Sequence, residues 1–142
     1  MTLRVSESLL DDIRREGELA YPAECCGLLA GRVGHGVKEV FRLHPVSNRR
    51  TDDPHRYLIS ADDLRSAEGE IGSAGLETVG FYHSHPDHPA LPSAFDREHA
   101  WPWYSYVIVR VDAGRARDIA SWVLRDDRSA MEAELLDVFT EV

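Results

Sequence analysis

Lysine is almost missing from this chain: fifteen of its 16 basic residues are arginine, and Lys38 is the exception. Basic residues as a class are also scarce beside 25 acids, which leaves a formal charge of -9 over 142 residues. A surface of that sign repels a phosphate backbone, so nucleic acid is a poor partner and the basic tail of another protein a better one. Only two cysteines occur, and Cys25 and Cys26 are neighbours in sequence. Adjacent cysteines seldom meet disulfide geometry, so no disulfide framework is expected and a reducing, cytoplasmic setting fits. No run approaches the roughly 18 apolar residues of a membrane span, and the opening residues lack the apolar core of a signal peptide. The expectation is a protein that does not enter a membrane and stays where it is made. Its length is that of one domain, residues 1–142, with a core large enough to need no staples.

The coarse pattern is a mixture of helices and hairpins. Ser6 followed by Leu9, Leu10, Ile13 and Leu19 predicts a capped helix ending near Pro22. Residues 27–33 and 37–43 flank Gly34-His35-Gly36 as a hairpin. A polar stretch from His44 to Pro54 reads as a loop long enough to line a site, with a short strand over 56–59 and a helix capped by Ser60 after it. Residues 77–83 form a strand, Ser93 starts a helix running to about Trp101, and 104–111 with 118–124 make a second hairpin around Asp112-Ala113-Gly114. The tail from Ser129 to Val138 has helical residue types but no clear period. Together these predict an α+β fold: a mixed, largely antiparallel sheet flanked by helices.

The densest chemistry lies at the end of the 77–83 strand. Between His83 and Asp96 the chain packs three histidines, two carboxylates and two hydroxyls. On a strand, His83 and His85 share one face with Cα atoms about 7 Å apart, near enough to converge on one ion. Ser93-x-x-Asp96 alone reads as a helix-capping box. That plain reading leaves the two histidines on one face unexplained. Three protein ligands plus an open position make a catalytic zinc site, and His83, His85 and Asp96 would be such a set. A water on zinc titrates near pH 7 and can attack an acyl carbon when a nearby carboxylate takes its proton. Competing zinc signatures use the same letters. His83-x-His85-x-Asp87-His88 also spells a metallo-β-lactamase-like motif, but that fold needs more ligands downstream, where His99 is the sole histidine. A cupin would need a glutamate where Pro89 and Ala90 stand, and a zinc deaminase needs a P-C-x-x-C that is absent.

Glu24 ahead of Cys26-Gly27-Leu28-Leu29-Ala30-Gly31, then His83-Ser84-His85, seven residues, Ser93, two residues and Asp96, resembles the JAMM (MPN+) metalloprotease family. The likeness extends over most of the chain and is to the short, stand-alone prokaryotic members. It implies an MPN/JAB domain with cytidine-deaminase-like layering and one catalytic zinc held by His83, His85 and Asp96. It further implies that Glu24 accepts the proton of the attacking water and that Ser93 helps hold the oxyanion. Glu24 is singled out among the 25 acids by the resemblance alone. The implied activity is hydrolysis of a peptide or isopeptide bond at the C-terminal tail of a ubiquitin-like or sulfur-carrier β-grasp protein ending in Gly-Gly. A different class of function, a non-catalytic scaffold of the same fold, is disfavoured by the intact ligand set.

The remaining conspicuous residues read as structural. Cys25 and Cys26 are expected as small buried residues, not nucleophiles. Asp87 and His88 are expected as solvated loop residues, the three tryptophans as core or sheet-face aromatics, and Arg49, Arg50, Arg56 and Tyr57 as a solvated face.

Overall fold

A computed structural model describes residues 1–50 and 56–141. Seven strands and three helices follow one another as β1 (Thr2–Ser6), α1 (Glu7–Ala20), β2 (Cys26–Gly34), β3 (Val37–Val46), α2 (Ala61–Ser73), β4 (Glu77–Pro86), α3 (Ala94–His99), β5 (Ser105–Asp112), β6 (Arg115–Leu124) and β7 (Met131–Phe139). Four of the strand pairs are antiparallel (β2–β3, β2–β4, β5–β6, β6–β7) and three parallel (β1–β3, β1–β7, β4–β5). The expected mixed sheet with flanking helices is therefore present. It also closes on itself, because β1 bridges β3 and β7.

Local chemistry explains most element ends. The Ser6 hydroxyl accepts the Leu9 N–H and starts α1, and Ser60 does the same for α2 through Asp63. Both hairpins turn on pairs with positive φ, His35-Gly36 and Ala113-Gly114, the backbone that suits the twist of the flanking strands. Gly31 sits where the β2–β3 register slips, and a Cβ there would lie 1.8 Å from the Glu39 carbonyl oxygen.

Two packing layers result. Leu10 and Ile13 of α1 join Leu29, Val79, Tyr82, Val107 and Val109 in the main cluster, with Gly17 pressed close to Val111 and Ser84. On the other face, Ala67 and Ile71 of α2 cover Leu28 and Ala30. β2 is thus buried on both faces, which is why it reads as a continuous apolar run. β4 shares this exposure to both layers: Tyr82 and Ser84 face α1, while Phe81, His83 and His85 alternate onto the face of α2. Lys38 is wholly buried, with its Nζ 2.5 Å from the Trp103 carbonyl oxygen and 3.3 Å from Glu134, whose other oxygen accepts the hydroxyls of Ser105 and Ser121. That network ties β3, β5, β6 and β7 together and gives the buried charge its partners.

Several expectations differ from the structure. The tail is strand β7, because Met131–Glu134 pair with β6 and Leu135–Phe139 with β1, and a ladder on both sides overrides residue type. β1 was not foreseen, because the alternation of Thr2-Leu3-Arg4-Val5-Ser6 is only five residues long and runs straight into the cap of α1. Residues 56–59 form no strand: the Asn48 side chain accepts the Leu58 N–H and the Arg49 N–H donates to Leu58 O, replacing a ladder. α3 stops at His99, with extended Ala100 as its cap, because Pro102 disfavours helical backbone at Trp101. Leu19, expected on the apolar face of the first helix, is 80% exposed. Of the polar stretch from His44 to Pro54, His44 to Val46 belong to β3, and residues 51–55 lie outside the described ones.

Candidate metal centre

The last residues of β4 are buried, with the 56–60 segment against them, and they carry the two histidines inward. His83 is 0% and His85 1% exposed. Their Nε2 atoms lie 3.2 Å apart, and Asp96 presents one oxygen 3.3 Å from His83 Nε2 and the other 3.0 Å from His85 Nε2. Asp96 reaches them because it is the third residue of α3, held there by a reciprocal capping box: its N–H donates to Ser93 Oγ, and the Ser93 N–H donates to its carboxylate. The capping box and the ligand position are therefore the same feature.

Hydrogen bonding sets the histidine tautomer. His85 Nδ1 is 2.8 Å from the Pro89 carbonyl oxygen, which can only accept, so a proton sits on Nδ1 and Nε2 is the atom turned toward Asp96 and His83. Lone pairs of a nitrogen and a carboxylate oxygen do not face each other at 3.0 Å without a proton or a cation between them. Tetrahedral bonds of about 2.1 Å to nitrogen and oxygen place ligand atoms roughly 3.3 Å apart. The observed spacing of 3.0 to 3.3 Å suits that geometry, and three ligands leave a fourth position open. Electrostatics agree. Burial lowers the His83 pKa more than Asp96 raises it, leaving the neutral imidazole a metal requires. Burial alone would raise Asp96, but His83, His85 and the Ser93 N–H outweigh it and hold the carboxyl well below the usual range.

Glu24 is brought to this site from the start of β2. It precedes β2, is 3% exposed, and belongs with His85 and His88 to a second group of donor atoms within 4.8 Å of one another. Its backbone is pinned on both sides: the Cys25 N–H donates to Ser84 Oγ at 2.8 Å, and the Asn48 amide donates to Glu24 O at 3.1 Å. Ser84, the middle residue of His-Ser-His, thus clamps the segment that carries Glu24. Ser84→Ala leaves the Cys25 N–H without its acceptor in a buried position. Its expected cost is about 1 to 3 kcal/mol in denaturant unfolding, with zinc binding unchanged, since His83 and His85 keep their own contacts.

The structure revises several neighbours. Tyr57 is no solvated residue: its ring stacks on His83 at 4.6 Å. His88 stacks on His85 at 4.1 Å, and Asp87 is a loop staple, accepting the Tyr21 hydroxyl at 2.6 Å and the Ala113 N–H at 2.7 Å. Trp103 and Trp122 pack as expected, but Trp101 is 65% exposed on the rim of an apolar cavity of about 200 Å³ that opens beside Asp96 and is lined also by Tyr57, Phe81 and Phe95. Arg56 lies over the Phe95 ring at 4.7 Å. Burial pushes the Cys25 and Cys26 thiols up to about 12, which leaves neither a thiolate nucleophile near neutral pH. Only the pair at i, i+2 and the capping box were legible in sequence. Tyr57, Phe95 and Asn48 carry no motif, and their roles come from chain crossings.

The family described as prokaryotic homologs of the JAB domain matches residues 6–125. The chain belongs to this JAB/JAMM family. A desampylase of Haloferax volcanii is 41% identical over 107 residues, covering 75% of this chain and 76% of that one. The "Probable TtuB-protein conjugate cleaving protease" of Thermus thermophilus is 35% identical over 116 residues, covering 82% and 75%. Among solved structures, a JAB1/MPN domain protein of Archaeoglobus fulgidus superposes with a TM-score of 0.62 at 22% identity, covering 97% of this chain and 99% of that one, a likeness of fold. The JAB/JAMM chain is accordingly a zinc metallopeptidase, and its donor set suits one zinc ion.

Proposed function

We propose that this JAB/JAMM protein cleaves the peptide or isopeptide bond that follows the C-terminal tail of a ubiquitin-like or sulfur-carrier protein, with His83, His85 and Asp96 holding the zinc, Glu24 moving the proton and Ser93 steadying the oxyanion. The observation that carries the reading is the convergence of two histidine nitrogens and two carboxylate oxygens at 3.0 to 3.3 Å, with a buried glutamate close to His85. Relatives at 41% and 35% identity, one a desampylase and one concerned with TtuB-protein conjugates, support the substrate class. When bound, zinc supplies Lewis acidity, which acidifies water and polarises a carbonyl.

The chain's own residues do the rest. The Glu24 carboxylate takes a proton from the attacking water as the C–O bond forms, then delivers it to the amine nitrogen as the C–N bond breaks. Ser93 has capacity for both of its tasks, since its Oγ lone pair accepts the Asp96 N–H while its hydroxyl proton stays available to donate to the oxyanion. Ser93→Ala should therefore lower kcat by on the order of 10²-fold and cost about 1 kcal/mol of stability through the lost cap. Stopped-assay kinetics and thermal unfolding separate the two. The apolar cavity beside Asp96 suits an apolar side chain near the scissile bond.

The test is incubation of the purified protein with a carrier extended beyond Gly-Gly, read by intact mass. Cleavage directly after Gly-Gly, lost on chelation and regained with zinc, is expected. Failure to cut any Gly-Gly-extended carrier while holding one zinc would sink the substrate assignment, and a metal-free protein that binds the carrier intact would favour the scaffold. We also propose that the chain works as one domain over residues 1–142 and in the cytoplasm. A sheet that runs unbroken from β1 to β7 supports the first, and the free thiols of Cys25 and Cys26 fit the second. No described helix is long and apolar enough to cross a membrane.

A further inference from the structure

Two groups of donors meet at this centre among the described residues, and they share His85: His83, His85 and Asp96 form one, Glu24, His85 and His88 the other. The first is tight, with neighbouring donors 3.0 to 3.3 Å apart. The second is looser, its atoms lying within 4.8 Å of one another. Once His85 Nε2 is committed to the first group and its Nδ1 to the Pro89 carbonyl, the second group retains Glu24 and His88. His88 is prepared for the part. Its Nδ1 is 2.8 Å from the Pro86 carbonyl oxygen, which only accepts, so a proton sits there and ligation falls to Nε2. Its stack on His85 at 4.1 Å and 22° holds the ring beside the metal centre, not out in solvent.

We propose that Glu24 and His88 form a second, weaker zinc site that switches hydrolysis off when zinc is in excess. Carboxylate and imidazole are both zinc ligands, and solvent completes the coordination. Weakness follows from the donor count, two side chains against three, and from the wider spacing, which needs a small side-chain movement before both donors reach one ion. Inhibition follows from the identity of one donor. A Glu24 carboxylate engaged by a cation has lost the lone pair with which it takes the proton of the attacking water, so the inference rests on the proton-transfer role given to Glu24 above. The first zinc activates and the second silences, which gives the activity a maximum in zinc concentration.

Equilibrium dialysis against graded zinc, with the bound metal counted by elemental analysis, tests the site without reference to turnover. Wild type should bind one zinc tightly and a second at least tenfold more weakly. His88→Phe, which keeps a ring on His85 but removes the donor, should bind one, and so should Glu24→Gln, whose amide is a poor ligand. Hydrolysis of a Gly-Gly-extended carrier by wild type should fall at least tenfold across the range where the second zinc binds. In His88→Phe, measured against its own rate at one equivalent, the inhibiting concentration should rise at least tenfold. A wild type that stops at one zinc overturns the proposal, as does a second zinc that survives in both variants. A second zinc that binds without inhibiting also overturns it. In that case an inactive Glu24→Gln shows that the second ion is not on Glu24, whereas an active one shows that the proton-transfer role itself was wrong.

Discussion

Glu24→Gln is expected to keep one zinc and lose hydrolysis, with kcat falling by on the order of 10³- to 10⁴-fold, the upper part of what a positioned general base contributes. The substitution changes neither the volume nor the backbone anchors of the residue, because the contacts that place it are the Cys25 N–H on Ser84 and the Asn48 amide on the Glu24 carbonyl oxygen. The three closest donors around the metal are untouched. What is lost is a carboxylate lone pair basic enough to take a proton, and an amide does not replace it. Kinetics on a Gly-Gly-extended carrier, with zinc content measured on the same sample, check the outcome. Near-full activity in the Gln variant would remove Glu24 from the mechanism, and loss of zinc along with activity would make it a ligand instead.

His83→Ala should abolish both zinc binding and hydrolysis. Two donors remain of three, and since outer-sphere substitutions alone cost zinc sites about 10- to 100-fold in affinity, removal of a ligand should exceed that. The fully buried ring also packs against Tyr57, so some stability goes with it. Thermal unfolding with and without zinc tells metal loss from misfolding. Saturation of a wild-type site at 100 times its dissociation constant adds about 2.7 kcal/mol to the folded state, and the variant should gain nothing while still unfolding cooperatively. A variant that melts cooperatively and is still stabilised by zinc to the wild-type degree would exclude His83 as a ligand.

The fold was legible where a local rule acts alone. Ser6 and Ser60 cap their helices as their positions imply, and both hairpin turns fall on residues that tolerate positive φ. It was illegible where partners decide. Residues 131–139 are suited to helix by type, yet they become β7 because β6 and β1 offer ladders on both sides. β1 is five residues long and exists only as the strip that closes the barrel. An alternation of five residues is too short to stand out by itself, and the free energy of such a strand lies almost wholly in its pairing.

The centre divides in the same way. By sequence alone the chain determined that two histidines at i, i+2 on a strand and a carboxylate locked by a capping box would stand within a few residues of one another, because strand alternation and helix capping are local rules. Sequence likeness, not spacing, singled out Glu24. Tertiary structure decided that Ser84 pins the segment bearing Glu24, that Tyr57 covers His83, and that His88 lies against His85 facing Glu24, since each of these joins parts of the chain through packing that no local pattern encodes.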